Sequence, residues 1–137
     1  MAFDFFKKKR DPNTPRPVLV IDDSEPIREL IEDVLLSQGY TVEKAEDGKK
    51  GLEAAKEVDP RLILLDINMP GWTGLQTLAE MRQVPELNEI PVLMVTGEQL
   101  GKDVEAAFAR GAKGYVIKPI EIKRFLKKVE EFVLPMK

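Results

Sequence analysis

Apolar residues along this chain fall into two alternating patterns. Val18-Leu19-Val20-Ile21, Leu62-Ile63-Leu64-Leu65 and Val92-Leu93-Met94-Val95 are unbroken aliphatic runs, and Tyr115-Val116-Ile117 is a shorter one. Runs of this kind predict strands buried on both faces, as in a parallel sheet covered by helices. Tyr40 to Ala45 alternates more and carries Glu43 and Lys44, which predicts an exposed edge strand. Between the runs, apolar positions recur at helical spacing. Ile27, Leu30, Ile31, Val34 and Leu35 make one stripe, opened by Ser24 as N-cap with Glu25 and Pro26 in the first turn, and closed by Gly39. Asp47-Gly48 opens a second helix with Leu52, Ala55 and Val58 inward, ended by Asp59-Pro60. Thr73 caps a third, with Leu75, Leu78 and Met81 inward and Pro85 at its end. A fourth carries Val104, Ala107 and Phe108 and stops at Gly111. The last sets Ile122, Phe125, Leu126, Val129, Phe132 and Val133 against a face of Lys123, Lys127, Lys128, Glu130 and Glu131. Five strands alternating with five helices predict a doubly wound α/β domain.

Residues 1–17 break this pattern. Phe3, Phe5 and Phe6 precede Lys7, Lys8, Lys9 and Arg10, and Pro12, Pro15 and Pro17 follow. The prolines predict a flexible N-terminal extension over 1–17, leading into a domain over 18–137. The aromatic and basic head has two readings: a solvated tail, or a weak contact with an anionic membrane surface or a partner protein. One short segment of this kind holds a membrane only weakly, because stable anchoring takes two signals.

Composition narrows the chemistry. A formal charge of −3 and a pI near 5.2 argue against a nucleic-acid partner. With no cysteine the chain has no disulfide and no thiol nucleophile, and it suits a reducing cytoplasm. With no histidine it lacks the usual general base and the commonest transition-metal ligand. Carboxylates, lysines and hydroxyls remain. No apolar run is long enough to span a bilayer, and Met1 to Arg10 is no secretory signal.

Those residue types collect at the ends of the apolar runs. Asp22 and Asp23 follow the first strand, Asp66 the third, Thr96 the fourth and Lys118 the fifth. Each alone has an ordinary explanation as a cap or a surface residue. In an open parallel sheet, however, ligands bind beyond the carboxyl ends of the strands, where strand order reverses. A flavodoxin-like order 2-1-3-4-5 makes strands 1 and 3 neighbours, and three carboxylates then converge. Carboxylates about 4 Å apart repel by about 4 kcal/mol per pair at an effective dielectric near 20. A hard cation such as Mg2+ relieves that repulsion and neutralises phosphate oxygens. Lys118 offers a mobile positive charge and Thr96 a hydroxyl donor. Asp66, between metal and lysine, is placed to act as nucleophile and form an acyl phosphate.

Asp22-Asp23-Ser24, Asp66-Ile67-Asn68-Met69-Pro70 followed by Gly74, Thr96-Gly97, Gly111-Ala112 with Tyr115, and Lys118-Pro119 together resemble the receiver domain of two-component response regulators. The resemblance covers roughly residues 17–134 and implies a flavodoxin-like (βα)5 domain with a five-stranded parallel sheet. It implies that Asp66 is phosphorylated by a histidine kinase or phosphotransfer protein. Asp22, Asp23, Asp66 and the backbone carbonyl of Asn68 would hold Mg2+, and Lys118 would pair with the phosphoryl group. Thr96 and Tyr115 would switch, and the Lys118–Pro119 bond would be cis. The change would be read out by an output protein on the surface of the fourth helix, fifth strand and fifth helix. Gly97 stands where receivers often have a residue such as Ala, which opens the phosphate approach and loosens the loop. Asn68 and Glu98 resemble the pair of chemotaxis-type regulators with short-lived phosphorylation. The chain stops soon after the last helix, so a stand-alone regulator is expected, with no reaction beyond its own phosphorylation and dephosphorylation. One rival is an aspartyl-phosphate enzyme of the haloacid-dehalogenase type, which needs a second aspartate where Asn68 stands. The other is a phosphorylation-independent scaffold that keeps the receiver fold.

Overall fold

The computed structural model describes residues 15–97 and 102–135. Its elements run β1 (Val18–Ile21), α1 (Glu25–Ser37), β2 (Val42–Ala45), α2 (Gly48–Val58), β3 (Leu62–Asp66), α3 (Gly74–Met81), a 3-10 turn (Pro85–Leu87), β4 (Val92–Thr96), α4 (Lys102–Ala109), β5 (Gly114–Ile117) and α5 (Ile122–Glu130). The strands form one parallel sheet in the order β2-β1-β3-β4-β5, the flavodoxin-like arrangement expected. Register is what aligns the strand ends. Ile21 pairs with Leu65, so Asp22 and Asp66 leave adjacent strands side by side. Thr96 pairs with Ile117, which leaves Lys118 one residue beyond it at the same edge.

Strand alternation divides the core in two. Leu19, Ile21, Ile63, Leu65 and Met94 face α2, α3 and α4 and pack on Ala55, Leu78, Met81 and Ala107. Val18, Val20, Leu62, Leu64 and Val95 face α1 and α5 and pack on Ile31, Leu35, Phe125 and Val129. Burial of each large aliphatic side chain contributes about 1.5–3 kcal/mol, which explains why the strand runs admit no polar residue. Ser24, Asp47 and Thr73 cap their helices by accepting hydrogen bonds from the amides of Ile27, Lys50 and Gln76. Glu121 caps α5 in the same way through the Arg124 amide.

Some residues expected on the inner faces point outward. Leu30 is 37% exposed, Phe108 45% and Ile122 48%. Leu30 lies mid-way along α1, Phe108 near the end of α4 and Ile122 at the start of α5. Phe108 instead meets Tyr115 edge to face, with ring centroids 6.3 Å apart and planes at 84°.

At the amino edge of the sheet, Arg61 joins the start and end of the domain. Its backbone N–H donates to the Pro17 carbonyl at 2.9 Å, and its Nη2 donates to the Leu134 carbonyl at 2.6 Å. Arg16 bonds the carbonyls of Asp59 and Pro60, and Tyr40 Oη donates to the Val133 carbonyl.

Candidate functional site

At the opposite, carboxyl edge, Asp22 follows β1 and Asp66 ends β3. Both are buried, at 1% and 3% exposure, while Asp23 is exposed. One oxygen from each of the three carboxylates lies within 4.8 Å of the others. Lys118 Nζ sits 3.2 Å from Asp22 Oδ2 and 3.4 Å from Asp66 Oδ1. Loop amides orient the carboxylates. Ser24 N–H donates to Asp22 Oδ1 at 2.9 Å, and Asn68 N–H donates to Asp66 Oδ1 at 3.3 Å. The Lys118 N–H donates to the Thr96 carbonyl at 2.7 Å, and the Lys118–Pro119 peptide is cis. That bond tethers the lysine-bearing turn to the end of β4.

The electrostatics follow from burial with incomplete compensation. Burial first, and then the Asp22 carboxylate, push the Asp66 pKa up to about 7, against the pull of Lys118. Burial works against the Lys118 ammonium, yet Asp66 and Asp22 together hold its pKa above the ordinary lysine value. Near neutral pH, the metal-free site therefore holds more negative charge than one lysine offsets. Asp22 Oδ2 has the Lys118 ammonium 3.2 Å away and no other partner among the described residues. A buried carboxylate oxygen left with spare lone pairs, beside two other carboxylates, is a donor set suited to a hard divalent cation. The residues present fit Mg2+.

The structure thus brings Asp22, Asp23, Asp66 and Lys118 together, with Thr96 buried at the same edge. Asn68 is exposed in the loop beyond Asp66, and Tyr115 is half-buried on β5 against Phe108. Glu98, and the head residues Phe3, Phe5, Phe6, Lys7, Lys8, Lys9 and Arg10, lie outside the described residues.

Sequence reasoning assigned no role to Arg28, whose Nη1 donates to the Asp22 carbonyl at 2.6 Å. The spacing from Ser24, one helical turn earlier, was the available signal. It also gave Gly74 no structural reason. A Cβ there would meet the Asp66 carbonyl oxygen at 2.2 Å and Ile67 Cα at 2.7 Å, so only glycine lets α3 begin directly under the Asp66 backbone. At the rim, Lys49 Nζ stands 5.7 Å from the centre of the Trp72 ring.

Comparison with known proteins agrees with this geometry. Residues 18–130 match the family model of the response regulator receiver domain. The polar-differentiation response regulator DivK of Brucella anthropi is 31% identical over 119 residues, covering 87% of this chain and 97% of that protein. The nitrate/nitrite response regulator protein NarL of Escherichia coli is 37% identical over 119 residues, covering 85% of this chain and 54% of its own length. Among solved structures, the Vibrio cholerae chemotaxis protein CheY4 superposes with a TM-score of 0.83 at 32% identity, covering 88% of this chain and all 100% of that one.

Proposed function

Because this chain belongs to the response regulator receiver domain family, we propose that it is a phosphorylation-dependent switch with Asp66 as the phosphoacceptor. The observation that carries the reading is the placement of Lys118 Nζ between Asp22 Oδ2 and Asp66 Oδ1 at the mouth of the sheet. A buried carboxylate beside a fixed ammonium and two further carboxylates suits attack on a phosphoryl group better than it suits the stability of the fold.

In this reading Asp22, Asp23, Asp66 and the Asn68 carbonyl would hold Mg2+, which would neutralise phosphoryl charge. An Asp66 oxygen bonds to phosphorus as the bond to the donor nitrogen breaks, and the departing imidazole takes up a proton. By its family the donor is a histidine kinase or a histidine phosphotransfer protein, and it is a separate molecule because this chain has no histidine. The product carries a charge near −2 and three acceptor oxygens. Lys118 pairs with it, and the Thr96 hydroxyl is drawn toward it. Lys118 N–H and the Thr96 carbonyl are already bonded, so the β4 and β5 ends respond together. Tyr115 follows, and the α4–β5–α5 surface presents the change to an output protein in the cytoplasm. The chain catalyses only its own phosphorylation and dephosphorylation.

Trp72, the single tryptophan, supplies the test. Its emission should change saturably with Mg2+ and again with beryllofluoride, and the second step should vanish in Asp66→Asn. Mass spectrometry after treatment with a small phosphodonor should show one added phosphoryl group in the parent and none in the variant. If neither signal appears, the scaffold reading replaces the switch.

A further inference from the structure

A shallow, open depression rimmed by cationic side chains lies at the amino edge of the sheet, away from Asp66, where α3 and α4 end. It has a volume of about 570 Å3, open to solvent, and is lined by Arg82, Gln83, Asn88, Arg110, Gly111 and Lys113, with two alanines. No aspartate or glutamate lines it, although the molecule as a whole is acidic. Among the described residues, none of its three cations has a carboxylate partner. Glu80 on α3, Glu86 in the 3-10 turn and Glu89 just beyond it lie outside the lining.

The arginines are positioned by backbone. Arg82 Nε donates to the Arg110 carbonyl at 3.0 Å, while its Nη1 and Nη2 reach the Leu87 and Gly111 carbonyls only at 3.5 Å. Arg110 Nη1 donates to the Leu75 carbonyl at 3.0 Å. Gly111 has φ +97°, and a Cβ there would stand 3.0 Å from Arg82 Nε, so the glycine also opens the seat of the guanidinium. A guanidinium has five N–H donors. Arg82 therefore keeps two unspent and two weakly spent, and Arg110 keeps four. The two helix ends present about half a negative charge each, roughly one in total, against three cations. The lining itself stays positive after that offset, with Glu80, Glu86 and Glu89 outside it.

We propose that this open depression binds a phosphate group, with Arg82 and Arg110 as the two forks and Lys113 as a point charge. The doubly charged tetrahedral group matches the surplus better than a single carboxylate does, and arginine forks grip phosphate oxygens in pairs. The Gln83 and Asn88 amides supply neutral donors at the rim. Such a phosphate could belong to a free phosphate ester or to a lipid headgroup.

The full chain tests this in EDTA, which keeps divalent ions from recruiting phosphate to Asp66. Inorganic pyrophosphate should shift the amide resonances of Arg110, Gly111 and Lys113 saturably, with a Kd tighter than about 1 mM. Arg110→Ala with Lys113→Ala should weaken that binding at least tenfold and leave thermal unfolding in place, since both side chains are exposed. In parallel, retention on phosphatidylglycerol vesicles, absent on phosphatidylcholine and lost in the double variant, would identify the headgroup source. Pyrophosphate binding without retention would identify a soluble ester. No saturable shift together with no variant-sensitive retention would overturn the proposal.

Discussion

Asp66 holds its charge at a cost when no metal is bound. Its pKa of about 7 in the fold stands above the 3.8 of an ordinary aspartate, chiefly through burial and then through Asp22. The fold thus binds that proton more tightly than the unfolded chain does. The stability this gives is complete below about pH 4 and is lost as the pH rises through about 7. Denaturant titrations in EDTA should therefore show this component falling across that window, and Asp66→Asn should flatten the slope. At pH 7.5 the variant should be the more stable protein by roughly 1–3 kcal/mol. A variant no more stable than the parent would mean that Lys118 fully offsets the charge. Asp22, Asp66, Thr96 and Lys118 were legible in the sequence because each ends an apolar run, where a polar residue stands out. Arg28 was not, since its bond is to the backbone carbonyl of Asp22 and exists only once the loop has its shape.

The start of α3 is the most constrained element near the site. Gly74 N–H donates to the Ile67 carbonyl at 2.8 Å, and the space for a Cβ is filled by backbone atoms of Asp66 and Ile67. Backbone cannot step aside as a side chain does. Gly74→Ala should therefore cost about 1–3 kcal/mol in chemical denaturation and weaken Mg2+ binding as the Asp66 loop shifts. Thr73→Ala, which removes only the cap to Gln76, should cost about 1 kcal/mol and leave Mg2+ affinity unchanged. The pair separates damage to the loop from damage to the helix. Helix periodicity revealed every described helix but not how much of each stripe the sheet covers. Phe108 and Ile122 obey the spacing and still face outward, because coverage depends on where the sheet ends.

The whole molecule divides its labour between two edges of one sheet. Register sets this division, and register was not readable from hydrophobic runs, which slide freely past one another on paper. Strand order could be anticipated only through the rule that a doubly wound sheet binds at its switch point and through the family resemblance. If the carboxyl edge holds Mg2+, the ion binds the folded state and stabilises it by mass action. At a hundred times its Kd it should add about 2.7 kcal/mol, seen as a rise in Tm that EDTA reverses. Equal Tm values with and without the ion would count against the metal site. The amino edge bears on mechanics instead. Arg61 holds Pro17 through its backbone and Leu134 through its side chain, so the two points where chain leaves the described domain meet at one residue. A pull applied between them would first load the Arg61–Leu134 bond, before the β1–β3 ladder carried tension. A module fastened at either place would swing about that corner, and the carboxylate-lined mouth at the other edge would still face away from its tether.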